Sequence, residues 1–432
     1  GKTEALTPLG FNVRSRVHEY GGGAALITNG TIYFVDYDTQ QIFCQKPNKI
    51  PYAITKSINS RFSDMEFDCV HNRLICVQED HSKDGEPLNK LVAVNLRSGI
   101  IEILDDEHDF VSSPRIDKKC NNLAWLTWDH PNMPWDGSTL WTSELSDNGL
   151  LKKKKIVAGS YEESIFQPEW IDKEKLIFVS DRSNWWNLYE YTDQNILSIY
   201  LDDAEYGLPQ WAFGMSTYGI TGDSSIIAAR NQGGLCQLGI IRNSNFEVID
   251  LPYTDFVNIC VNKNKVMFVG SSSTEVPQLV CLDISSGDYE VLRYSSKVII
   301  DTGYISEAIQ LQFSTSEESI SHAFYYKPKN LEYVASANEL PPLIVRGHGG
   351  PTGFSSASLN LSIQFWTSRG FAVLDVNYRG SSGFGSKYRK ALNGKWGVSD
   401  VDDMVNGALY LVKKGQVDKK RLIIRGGSAG GY

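Results

Sequence analysis

The run Arg425-Gly426-Gly427-Ser428-Ala429-Gly430-Gly431-Tyr432 holds a serine among small residues in the spacing G-x-S-x-G. Where that spacing follows a strand, the chain turns sharply and lifts the hydroxyl off the strand end as a nucleophile. The preceding Arg421-Leu422-Ile423-Ile424-Arg425 reads as a buried strand. The glycines have a mechanical reason: the serine sits in strained backbone and its neighbours must leave room for close packing. Small-residue turns after strands are common, so an ordinary turn stays open for this pattern alone. A second run, Gly347-His348-Gly349-Gly350-Pro351, follows the short apolar strand Leu343-Ile344-Val345-Arg346. Acyl transfer needs a nucleophile and backbone N–H donors for the developing oxyanion. The N–H of Ala429 follows the nucleophile, and the second donor is assigned to Gly350. A structural turn is the alternative for His-Gly-Gly-Pro alone; the paired elbow favours the site.

The elements that must hold these residues read as strand and helix in alternation. Residues 298–335 look like strands and a connecting segment. A helix is expected over 356–369, closed by Gly370. Phe371-Ala372-Val373-Leu374-Asp375-Val376 is the next strand, and a glycine-rich loop fills 377–397. Ser399 is expected to cap the following helix, with Asp402 three residues on. Val401, Met404, Val405, Ala408, Leu409 and Val412 mark one face of it, and Gly415 stops it. Asp400, Asp402 and Asp403 suit the positive helix end. The alternation predicts a doubly wound, mostly parallel α/β sheet. Such sheets carry chemistry at the carboxyl ends of their strands.

Residues 1–297 read differently, as short strands and turns with little helical periodicity. Leu74-Ile75-Cys76-Val77, Leu123-Ala124-Trp125-Leu126 and Val266-Met267-Phe268-Val269 are examples. A weak repeat starts near residues 20, 62, 110, 165, 209 and 255. Its spacing of roughly 40 to 50 residues suits the four-stranded blade of a β-propeller. A clipped N-terminus would have removed a further blade. The recurring tryptophans, such as Trp125, Trp128, Trp141, Trp186 and Trp211, are read as packing between blades rather than as a binding cage.

Composition narrows the classes. In 432 residues, 41% are hydrophobic and 22% charged, which is ordinary for a globular chain. No apolar run approaches the roughly 20 residues of a membrane span, so no membrane partner is expected. The net charge of −9, with signs interspersed, argues against nucleic acid. The basic run at 152–155 reads as a solvated turn. Seven cysteines stand far apart with no C-x-x-C, and are read as free, mostly buried thiols in a reducing, cytoplasmic compartment. None of the seven histidines is paired at ligand spacing, so neither metal nor other cofactor is expected.

Taken together, the chain resembles the prolyl oligopeptidase family of serine peptidases, on its acylaminoacyl-peptidase and dipeptidyl-aminopeptidase-like branch. The resemblance rests on His348-Gly349-Gly350-Pro351, on Asn377-Tyr378-Arg379-Gly380-Ser381-Ser382-Gly383-Phe384-Gly385, on Trp396-Gly397 and on the elbow. Arg16-Val17-His18-Glu19-Tyr20-Gly21-Gly22-Gly23 and His130-Pro131-Asn132-Met133-Pro134-Trp135 add to it. It implies a propeller over 1–297 and the first part of an α/β-hydrolase domain over 298–432. It implies a peptidase acting on short peptides near their N-terminus through an acyl-enzyme on Ser428. It also implies a triad aspartate and histidine later in the chain than the elbow, so a polypeptide ending at Tyr432 is expected to be inactive. His348 corresponds to an oxyanion-loop histidine and not to the base. Glu19 is a candidate for holding a substrate amine, with a solvated turn acid as the alternative. Arg379 either orients substrate or pairs with a carboxylate. An esterase or amidase on the same fold, and a non-catalytic propeller scaffold, are the competing functions; homo-oligomerisation stays open.

Overall fold

Short apolar runs broken by tight turns fold as antiparallel meanders. In the computed structural model, which describes residues 4–432, six such four-stranded sheets occupy 25–53, 60–105, 110–160, 165–200, 218–248 and 255–294. They are the blades of a β-propeller. Their first strands begin at Ala25, Ser60, Phe110, Ile165, Tyr218 and Asp255. The first four blades form one compact unit, with residues up to Ser183, Asn187–Leu201 and Gly207–Ser216. The last two belong to a second unit, with Asn184–Trp186, Asp202–Tyr206 and everything from Thr217 on.

Four blades share a device that the repeat did not reveal. The first strand slips register against the second around Asp64, Ser113, Gln167 and Asn258, and each of these residues is left-handed, with φ of 54°, 52°, 47° and 56°. Such a bulge bends the strand and raises its twist. In the first unit the bulge also joins neighbouring blades: Asp64 N–H donates to Gly23 O at 3.0 Å, and Ser113 N–H donates to Asp64 Oδ2 at 2.7 Å. The cores lie between successive blades. Val35, Ile42 and Cys44 of the first meet Phe62, Leu74 and Val92 of the second. Trp125 and Trp186 are fully buried, as packing residues are.

The meanders end at Tyr294, and a mixed sheet begins at Ile309. Its strands are β1 (Ile309–Ser314), β2 (Ile320–Tyr326), β3 (Leu343–Gly347), β4 (Ala372–Asn377) and β5 (Leu422–Gly426), in the order β1-β2-β4-β3-β5. β1 and β2 run antiparallel to their neighbours, whereas β3, β4 and β5 are parallel. This is the α/β-hydrolase arrangement. One sheet face packs Ile344 and Val373 on Ile363 of helix α1 (Leu361–Thr367). The short α2 (Ser386–Lys390) and the longer α3 (Ser399–Lys413) follow β4. The other sheet face packs Leu343, Val345, Leu374 and Val376 on Met404, Ala408 and Leu411 of α3.

Four local expectations are corrected. α1 starts at Leu361, because the backbone ahead of it is drawn elsewhere: Ser355 N–H to Asn377 Oδ1, and Leu359 N–H to Ser272 O. Asn360 then caps the helix from the N–H groups of Ser362 and Ile363. In α3, Val398 is the N-cap and no side chain caps it; Ser399 is already helical. Its apolar residues divide, with Met404 and Ala408 buried while Val401, Val405 and Leu409 are exposed. Finally, among the described residues β5 pairs with β3 alone, and its side chains, expected to be buried, are exposed there. Among the described residues, no helix is long and apolar enough to cross a membrane.

Candidate active site

Parallel register puts three strand ends side by side: Gly347 of β3 pairs with Val376 of β4 and with Gly426 of β5. From β5 the chain turns at Gly427 into a single 3-10 turn, Ser428–Gly431. Ser428 has φ of 53°, the left-handed conformation that a non-glycine residue adopts at a strained turn. The flanking glycines are needed for close approach. A Cβ on Gly430 would strike the carbonyl oxygens of Gly347 and His348, and one on Gly426 would strike Gly430 O. The elbow is therefore seated directly on the end of β3.

The loop after β3 lies against the serine. A Cβ on Gly349 would stand 3.3 Å from Ser428 Cβ and 3.9 Å from its Oγ. Gly350, the residue assigned as oxyanion donor, has φ of 127°, which suits glycine. The loop is held from β4. Tyr378 OH donates to His348 O at 2.8 Å, and its ring stacks on the His348 imidazole with centroids 4.4 Å apart. The imidazole donates from Nδ1 to Gly349 O at 2.8 Å, and its Nε2 lies 2.7 Å from Ser381 Oγ, whose hydroxyl also reaches Tyr378 O at 2.7 Å. Burial lowers its pKa to about 4, which keeps the ring neutral near pH 7 and the Nδ1–H bond to Gly349 in place. His348 thus positions the loop, and its ring is not free to take a proton from Ser428. Asn377 completes the clamp through Ser355, donating to its O at 3.0 Å and accepting from its N–H at 2.7 Å. None of these loop contacts was legible in the sequence; the run 377–385 marked the segment without saying what it holds.

Arg379 takes the second of its two readings. It is 3% exposed, and Asp403 of α3 accepts from its backbone N–H at 2.7 Å and its Nη2 at 2.9 Å. Asp403 has no exposed surface and also accepts from Thr315 at 2.7 Å. The guanidinium is thus committed to the fold and is not presented to substrate. Asp403, assigned above to the helix dipole, is its counter-ion; Asp400 and Asp402 occupy the first turn as expected. Glu19 belongs to the first unit. It is strained, with φ of 62°, and its largely exposed carboxylate pairs with Arg61 at 2.7 Å, which lowers its pKa.

A cavity of about 310 Å³ adjoins the elbow, lined by Arg346, His348, Gly349, Trp366, Arg425 and Gly427 among others. Arg346 and Arg425 are register partners, and Arg346 lies 3.6 Å from the buried Asp375, whose pKa burial raises. A larger cavity, about 1400 Å³, opens at the amino ends of the same strands, beside Pro342, Phe371 and Arg421. Ser428 lies at the opposite, carboxyl ends, so volume does not mark the chemistry here.

Comparison with known proteins agrees with this geometry. Residues 357–432 match the prolyl oligopeptidase family. Dipeptidyl aminopeptidase BIII of Pseudoxanthomonas mexicana is 41% identical over 91 residues, 21% of this chain and 13% of that protein. Acylamino-acid-releasing enzyme 1 of Oryza sativa subsp. japonica is 28% identical over 189 residues, 40% of this chain and 24% of that protein. The chain's matches thus span less than two thirds of these curated relatives. A puromycin-hydrolyzing peptidase of Mycobacterium tuberculosis superposes with a TM-score of 0.93 at 31% identity, covering 98% of this chain and 68% of that one. A puromycin hydrolase gives 0.92 at 30% identity, covering 100% and 69%.

Proposed function

Because this chain belongs to the prolyl oligopeptidase family of serine peptidases, we propose that its protein cleaves short peptides and aminoacyl amides near their N-terminus through an acyl-enzyme on Ser428. One observation carries the reading: a serine in left-handed backbone at a parallel strand end, packed against the glycine loop of the neighbouring strand. In this reading Ser428 Oγ attacks the scissile carbonyl, and the N–H groups of Ala429 and Gly350 receive the oxyanion. The base is a histidine that the family order places later in the chain than Ser428, oriented by an aspartate. It takes the serine proton and returns it to the leaving amine, and water then releases the acyl group. The neutral His348 keeps the Gly349–Gly350 backbone in place as charge develops on the substrate oxygen.

Relatives named as a dipeptidyl aminopeptidase, an acylamino-acid-releasing enzyme and puromycin hydrolases support a small aminoacyl or peptidyl amide as substrate. The free cysteines support a reducing, cytoplasmic compartment. The test is labelling of the full-length protein by a fluorophosphonate probe, with turnover of aminoacyl p-nitroanilides beside short-chain esters. Ser428→Ala is expected to abolish labelling and amide turnover together. Persistent labelling removes Ser428 from the role, and ester turnover without amide turnover removes the peptidase.

A further inference from the structure

Two cysteines that peptide hydrolysis does not use stand together in the first unit. Cys69 lies in the turn between strands Ser60–Asp68 and Arg73–Asp80 of the second blade. Cys120 lies in the turn between Phe110–Ile116 and Asn122–Trp128 of the third. Their sulfurs are 2.8 Å apart, and Cys69 N–H points at Cys120 Sγ from 3.3 Å. A disulfide bond spans ~2.05 Å, so under about 1 Å of closure separates the thiols from a bond.

Neither turn is loose. Asp68 Oδ1 accepts the N–H groups of Val70 and His71, each at 3.1 Å, and its Oδ2 takes Arg73 Nε at 2.8 Å. Across from it, Asp117 Oδ1 accepts Lys119 N–H at 2.7 Å, and Oδ2 accepts Asn122 N–H at 2.8 Å. Cys120 itself is left-handed, with φ of 56°. The two sulfurs are therefore brought together by backbone that other bonds fix. Cys69 is exposed and Cys120 is buried, so a reagent reaches the pair from one side.

We propose that Cys69 and Cys120 are a redox modification site, forming a reversible disulfide between the second and third blades by exchange with a small-molecule disulfide of the glutathione class. Cys69, as thiolate, attacks one sulfur of the reagent, and the first glutathione thiolate leaves and takes a proton. Cys120 then attacks Cys69 Sγ in the mixed disulfide, and the second glutathione leaves with the Cys120 proton. Two protein thiols are oxidised, one reagent disulfide is reduced, and two glutathione thiols are released. Burial raises the Cys120 thiol to about 11, so the exposed Cys69 makes the first attack. In a reducing compartment the bond forms under oxidation and is then removed, as intracellular redox disulfides are. The crosslink joins residues 51 apart, so it constrains a long loop of the unfolded chain. This inference does not depend on the peptidase reading.

The experiment treats the protein with oxidised glutathione, maps peptides without reductant and follows thermal unfolding. The expected result is a peptide pair joining Cys69 to Cys120, an intact mass lower by two hydrogens at that pair, and an unfolding midpoint raised by roughly 5 °C or more. Dithiothreitol should reverse all three, and Cys69→Ser, an exposed replacement, should lose them while folding normally. Glutathione retained on Cys69 beside a free Cys120 would overturn the proposal. So would reaction at the exposed Cys260 with none at Cys69, or a linked pair that leaves the midpoint unmoved.

Discussion

Replacing Asp403 with asparagine tests how the loop after β4 is held and what Arg379 is for. The substitution keeps the volume and one carbonyl acceptor, and takes the charge away. Arg379, 3% exposed, would then face a neutral amide where it now meets a carboxylate at 2.9 Å. Removing one partner of a buried ion pair costs roughly 3–5 kcal/mol, because the other charge stays buried without compensation. Glu317 remains 3.4 Å from Arg379 Nη1, but it is largely exposed and its field is screened by water. Partial compensation places the expected loss near the lower end of that range, about 3 kcal/mol. For a unit of about two hundred residues, this lowers the unfolding midpoint by roughly 6–12 °C. The assay is urea and thermal unfolding of Asp403→Asn beside the double variant Arg379→Met/Asp403→Leu. Removing both charges should be milder than removing one, by about 1 kcal/mol or more. A parent-like unfolding of Asp403→Asn would refute the buried ion pair as a source of stability. An Arg379→Lys variant that keeps its stability and raises KM for peptides would also refute it, since Arg379 would then be a substrate contact.

Two further outcomes follow from close packing and from burial. Gly430→Ala places a methyl against the carbonyls of Gly347 and His348, which are backbone and cannot rotate away. It should cost about 1–3 kcal/mol and, by displacing the nucleophile, slow fluorophosphonate labelling by roughly 100-fold with Ser428 still present; labelling at the parent rate would show that the elbow does not need this contact. In the first unit, Glu66 is pushed up to about 7, first by burial and then by Glu169 and Asp64, against the pull of Arg115. Its folded pKa exceeds its ordinary value, so the folded state holds the extra proton between them. That stabilisation is complete below the unfolded pKa of about 4.5 and is lost as pH rises through about 7. Glu66→Gln should flatten the fall of the urea midpoint over that window, and an unchanged slope would exclude Glu66 as its source.

Much of this molecule is legible one residue at a time, and the failures have local causes. The strand of the third blade that holds Trp125, and the elbow at Ser428, are signalled by short-range rules: apolar runs, turn residues, and small residues around a serine. The bulges at Asp64, Ser113, Gln167 and Asn258 were invisible, because an extra residue in a strand shows only against the strand it pairs with. The expected helix over 356–369 lost its first turn for a similar reason. Ser355 and Leu359 spend their N–H groups on Asn377 and Ser272, which are remote in sequence. The periodicity of α3 overstated its buried face, since Val405 and Leu409 stay exposed among the described residues while Met404 and Ala408 are buried.

Residue order alone determined the repeating meanders, the later change to an alternating α/β pattern, and the serine that a glycine bend would present. Each of these is a statement about neighbours in the chain, where backbone geometry and hydrophobic period act directly. Tertiary structure alone decided that Arg379 belongs to Asp403, that the neutral His348 steadies the loop beside Ser428, and that Cys69 meets Cys120 across two blades. These are choices among partners many residues away. The free energy of a buried charge or thiol depends on what the folded chain brings within a few ångströms of it.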